Sequence, residues 1–143
     1  MRKIIFLDFD GVMHPDGIGT FSQRSLFEEC LSKMPDVGIV VSSSWRETES
    51  LDELRTHFSA KFRDQIIGTT PSLDSGYDVG GRQREIEAFL RSSQWTTANC
   101  AWIALDDTAL FFDEDCPNLM LTDASRGFTS QDAHELLAWY RGG

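Results

Sequence analysis

The chain has 143 residues, 41% of them hydrophobic, which suits one compact domain with a sizeable core over residues 1–143. A net charge of −10 argues against broad, non-specific binding of nucleic acid, although a local basic cluster can still hold a nucleic-acid end. No apolar run approaches membrane-spanning length and the early acids exclude a signal peptide, so a cytoplasmic protein without membrane contact or an obligate protein partner is expected.

The first predicted strand runs from Lys3 to Asp8, a continuous apolar stretch of the kind buried in parallel sheets. It breaks off in Asp8-Phe9-Asp10-Gly11, two carboxylates one residue apart and then a glycine that permits a sharp turn. A helix follows from Gln23 to Lys33, with Leu26, Phe27, Cys30, Leu31 and Met34 on one face and Pro35 stopping it. Strand two, Val37 to Val41, runs into Ser42-Ser43-Ser44-Trp45-Arg46. A second helix is expected from Thr48 to Phe58, burying Leu51, Leu54 and Phe58, and a short third strand at Ile66-Ile67-Gly68. Ser72 to Gly81 is a loop rich in Gly, Ser and Asp. A helix starting near Arg82 turns Ile86, Phe89 and Leu90 inward. Strand four, Ala101 to Leu105, ends in Asp106-Asp107, and strand five spans Asn118 to Leu121. The last helix takes Thr129 or Ser130 as its N-cap and buries Ala133, Leu136, Leu137 and Tyr140. Cys30, Cys100 and Cys116 lie in or beside apolar segments without a Cys-x-x-Cys pair, as buried thiols do in a reducing compartment. Strands alternating with helices predict a five-stranded parallel sheet covered on both faces, a three-layer Rossmann-like α/β domain.

Ligands of such sheets bind beyond the carboxyl ends of the strands, where all four polar clusters fall. Paired carboxylates repel unless a cation or a proton lies between them, and hard oxygen donors favour Mg²⁺ together with a substrate phosphate. The order acid-x-acid, hydroxyl, base, acid-acid resembles the haloacid-dehalogenase (HAD) superfamily of aspartyl-phosphate hydrolases across residues 4 to 107. The flanking text, Asp8-Phe9-Asp10-Gly11-Val12-Met13-His14-Pro15 and Leu121-Thr122-Asp123 with Gly127-Phe128-Thr129 included, looks like the small HAD domains associated with Swiss Army Knife RNA repair proteins.

The resemblance implies a Mg²⁺-dependent phosphatase. Asp8 is then the nucleophile and Asp10 the general acid and base. Mg²⁺ sits between Asp8, the backbone carbonyl of Asp10 and Asp106, with Asp107 as a further or outer ligand. Ser42 and Ser43 are both open as the phosphate-binding hydroxyl, Ser43 preferred, while Ser44 reads as a helix-capping serine. Arg82 is the phosphate-binding cation and Arg84 its rival. His14 is a candidate substrate contact or a loop-ordering residue. Trp45 either packs under the phosphate loop or offers a face to a base, Arg46 is a candidate for a second phosphate of a longer substrate, and Asp123 reads as a turn residue. His57 and His134 read as solvated.

The stretches from Asp10 to Ser42 and from Ser44 to Arg82 are each used up by ordinary elements and leave no room for a cap domain. An uncapped site favours a large phosphorylated substrate, such as a polynucleotide end, over a small metabolite or nucleotide. Two rivals from another class are disfavoured: a receiver-like domain has its acid pair side by side at the first strand, where this chain has Asp-x-Asp, and a non-catalytic phosphate-binding module is at odds with four undegraded motifs.

Overall fold

The apolar runs form five strands: β1 (Arg2–Leu7), β2 (Gly38–Val41), β3 (Ile66–Thr69), β4 (Cys100–Asp106) and β5 (Leu119–Leu121). They belong to a computed structural model that describes residues 1–96 and 98–142. The strands are all parallel, in the order β3-β2-β1-β4-β5. The helices are α1 (Arg24–Leu31), α2 (Leu51–Arg55), α3 (Gly81–Ser92) and α4 (Ser130–Gly142).

Side chains alternate across a strand, so β1 serves both layers. Ile5 and Leu7 join Phe27 and Leu31 of α1, Leu54 of α2 and Leu136 of α4 in one core. Ile4 and Phe6 face the other way, against Ile86 of α3, with Phe89 packed beside them. No described helix is long and apolar enough to cross a membrane. All three cysteines are free thiols, Cys30 and Cys100 buried and Cys116 partly so.

Element boundaries follow local capping. The helix expected from Thr48 to Phe58 is shorter because Ser50 and Glu53 close a capping box that starts α2 at Leu51, while Ser44–Glu47 forms a separate 3₁₀ turn. Thr129 caps α4: its hydroxyl accepts from the Asp132 N–H, and its own N–H donates to the Asp132 carboxylate. Both intervals expected to lack a cap hold only these elements and their turns.

Register places the polar clusters together. Leu7 lies opposite Val41 on one side and Leu105 on the other. One residue further, Asp8, Ser42 and Asp106 therefore leave the sheet side by side. The chain passes from β1 outward to β2 and β3, then crosses over to β4 and β5. The β1/β4 boundary is thus the topological switch point, where a crevice opens beyond the strand ends.

Candidate active site

Asp8 and Asp106 are almost wholly buried, 6% and 1% exposed, at the floor of this crevice. Asp107 follows at the β4 end, and one carboxylate oxygen from each of the three lies within 4.8 Å of the others. Gly11 makes this approach possible. Its φ of +78° lies in the left-handed region, and a Cβ there would fall inside the Asp107 carboxylate. The loop is braced from β5, where the buried Thr122 donates its hydroxyl to the Gly11 carbonyl (2.7 Å) and its N–H to the Asp106 carbonyl.

Arg82 comes from the first turn of α3. Gly81 begins that helix against the Ser75 carbonyl, where no side chain fits. The Arg82 guanidinium places Nη1 3.1 Å from Asp106 and 3.3 Å from Asp8, while its buried Nε has no protein partner. Arg84 points elsewhere, pairing at the surface with Glu87 and Asp113. Of the two candidate cations, only Arg82 therefore reaches the crevice.

Burial is the main reason the Asp8 carboxyl holds its proton well above the usual carboxylate range, and the charge of Asp106 adds to this against the pull of Arg82. Burial likewise pushes Asp106 up to about 6, with Arg82 opposing. One arginine does not neutralise three acids packed this closely. The donor set is all hard oxygen, clustered at the spacing an ion can bridge, and so fits Mg²⁺.

The Asp10 carboxylate is not part of that cluster. It is about one-third exposed, and both of its oxygens are held from the side of the core. Trp45 donates Nε1–H to Oδ2 at 3.0 Å, and His14 Nε2 lies 2.7 Å from Oδ1. His14 Nδ1 accepts the Phe21 N–H at 3.3 Å, which leaves the ring proton on Nε2, facing Asp10. Phe21 adopts φ +53°, a strained value for an aromatic residue, and its ring stacks on His57 at 4.8 Å. Phe9 and Trp45 complete the cluster.

Several expectations narrow or change here. His14 is fully buried with its ring against Asp10, the placement expected of a loop-ordering residue. Trp45 has its indole N–H on Asp10 and its ring packed edge to face against Phe9, Phe21 and His57, the arrangement of a residue that packs under the phosphate loop. His57, expected to be solvated, is about one-quarter exposed, stacking on Phe21 and pairing with Glu49. Arg46 is turned away from solvent into an ion pair with buried Glu85 (2.8 Å), and it donates to the carbonyls of Ser43 and Thr70. It ties the serine loop to α3. Ser43 is buried and caps the 3₁₀ turn, its hydroxyl accepting the Trp45 N–H. Ser42 is buried beside it, and Ser44, expected to be the cap, lines the crevice. Asp123 is a turn residue, accepting from Ser125.

The crevice is about 190 Å³, and its lining includes residues the sequence did not flag: Asp16, Tyr77, Thr108 and Phe111. Tyr77 had a local signal, an exposed aromatic side chain in a polar loop, whereas Phe111 also packs against the core layer of Phe6 and Ile86 and so read as an ordinary apolar residue.

The Asp10 contacts carry a prediction. His14→Ala should lower kcat/KM, which reports formation of the phosphoenzyme, at least tenfold on an alkyl phosphate, whose leaving oxygen needs a proton. The loss should be several-fold smaller on p-nitrophenyl phosphate, whose leaving group needs none. His14→Gln, which can return an N–H near the Nε2 position, should recover part of the difference. Equal losses on both substrates would mean that His14 only supports the fold.

A model of the family described as "HAD domain in Swiss Army Knife RNA repair proteins" matches residues 4–133. No curated protein and no solved structure matches the chain.

Proposed function

This chain belongs to the family of HAD domains in Swiss Army Knife RNA repair proteins, and from that premise we propose that it hydrolyses phosphomonoesters through an aspartyl phosphate on Asp8. The observation that carries the reading is Arg82. Its guanidinium joins the buried Asp8 and Asp106 and lines the crevice, where a phosphate set against Asp8 would meet a fixed cation.

In this proposal an Asp8 oxygen attacks phosphorus as the bond to the leaving oxygen breaks, and Asp10 gives that oxygen its proton. Asp10 then takes a proton from the water that attacks the aspartyl phosphate, releasing inorganic phosphate and restoring Asp8. His14 and Trp45 hold Asp10 by one hydrogen bond on each oxygen, so the carboxyl is positioned before substrate arrives. Arg82 binds and orients the phosphoryl oxygens, and Ser44 at the crevice wall adds a hydroxyl. Mg²⁺, held by Asp8, Asp106 and Asp107 with the Asp10 backbone carbonyl, would offset the repulsion between nucleophile and phosphate.

No cap closes the site, so remote binding energy has to come from a substrate that covers the crevice itself. We assign a phosphorylated nucleotide end as that substrate, in keeping with the printed description of the family. A Mg²⁺ phosphatase screen of 5′- and 3′-phosphorylated oligonucleotides against sugar phosphates tests the assignment. At least a tenfold higher kcat/KM on the nucleotide substrates is expected. Equal turnover of sugar phosphates would identify a small-metabolite phosphatase, and no turnover of any phosphomonoester would remove the enzymatic reading.

A further inference from the structure

The mouth of the crevice is aromatic, not basic. Tyr77, 59% exposed, stands in the loop before α3, and Phe111 stands in the turn after β4. Their rings meet edge to face at 6.2 Å. Both line the crevice that holds Asp8, Asp10 and Arg82.

The pair is built. The Tyr77 hydroxyl donates to Glu47 (2.9 Å), which also accepts from Ser72. Phe111 lies against the Arg82 guanidinium at 5.1 Å. The two segments are joined by the Gly80 N–H on the Leu110 carbonyl and by the Asp113 N–H on Gln83.

Charge decides what such a mouth can accept. The arginines near it are paired: Arg82 with Asp8 and Asp106, Arg46 with Glu85, Arg84 with Glu87 and Asp113. Asp16 and Asp107 add further negative charge to the lining. A second phosphate would meet carboxylates, whereas a flat neutral group beside the reacting phosphate would meet two rings. Aromatic rings accept any base through its π-face.

We propose that Tyr77 and Phe111 form a stacking platform for the base of a nucleoside phosphomonoester, free or at a chain end, whose phosphate reaches Asp8. The proposal rests on the phosphatase reading and adds that the grip on substrate is aromatic and ends at the terminal nucleotide.

The test has a binding arm and a turnover arm. Binding of adenosine 5′-monophosphate and of ribose 5-phosphate is measured on Asp8→Asn, which is expected not to turn them over. The nucleotide should bind roughly tenfold or more tightly, and Tyr77→Ala in that background should remove most of the difference while Tyr77→Phe keeps it. In turnover, the ratio of kcat/KM for the nucleotide to that for acetyl phosphate should fall about tenfold in Tyr77→Ala and in Phe111→Ala. A phosphorylated tetranucleotide should match the mononucleotide within about threefold, with KM nearly unchanged between low and moderate salt, unlike a polyelectrolyte contact. Equal binding of the two monophosphates, or a ratio unmoved by both substitutions, overturns the platform. A large, salt-sensitive advantage of the tetranucleotide overturns the claim that the grip ends at one nucleotide. Preference for a phosphotyrosine peptide with the same Tyr77 dependence overturns the nucleotide assignment. Failure to hydrolyse acetyl phosphate would count against the phosphatase reading, with the binding arm still deciding the platform.

Discussion

Asp8→Asn is expected to abolish turnover while leaving the fold intact. The amide keeps the shape of the carboxylate but cannot form an acyl phosphate, so less than about a hundredth of the rate should remain, a loss of more than about 2.7 kcal/mol of transition-state stabilisation. The structure adds a second outcome. Asp8 is buried beside Asp106, and burial holds its proton affinity high. Removing that charge should raise the melting temperature of the metal-free protein at neutral pH or leave it unchanged. Steady-state kinetics and a thermal melt in EDTA read the two results. A variant retaining more than a few hundredths of the activity would end the assignment of Asp8 as nucleophile. A well-folded, silent variant is what nucleophilic catalysis requires.

Removing divalent metal should have an effect of similar size. EDTA should silence the enzyme and Mg²⁺ restore it. Ca²⁺ should inhibit, because it accepts more ligands at longer distances and loosens the in-line geometry. The metal-free protein should also be least stable where its crevice acids are ionised. Asp106 holds its proton up to about 6 when folded against 3.8 as the reference. Its contribution to stability is therefore full below the unfolded value and is lost as pH rises through about 6. Asp8 is shifted in the same direction. Mg²⁺ should consequently raise the melting temperature by several degrees at pH 8 and by much less at pH 5, where protons already occupy the site. Full activity in EDTA would remove the metal from the mechanism. An equal Mg²⁺-induced shift at both pH values would place the ion away from these acids.

The order of strands and helices was legible because apolar runs and 3.6-residue periodicity are local signals. The meeting of Asp8 and Asp106 at one edge was legible for a related reason, while Arg82 enters from the start of α3. Parallel strands end at one edge, so a polar residue just past an apolar run is delivered there by topology. The serine loop was less readable. Ser42, Ser43 and Ser44 share one chemistry and differ only in direction, and direction is set by the 3₁₀ turn that Ser43 caps.

Side-chain partners were the main thing hidden. Arg46 looked like a free cation beside the phosphate loop, but its counter-ion, Glu85, lies far along the chain on α3. Trp45 and His14 read either as loop-packing residues or as substrate contacts, and nothing local showed that both place their N–H groups on Asp10. Phe21 and His57 gave no local sign of belonging to that cluster, because their stacking exists only after the loop following β1 folds over α2. Spacing along the chain selects which elements form and which residues stand at strand ends, since these depend on neighbours a few residues away. Which of those residues remain free to meet a substrate depends on contacts between distant segments, and only tertiary packing sets those.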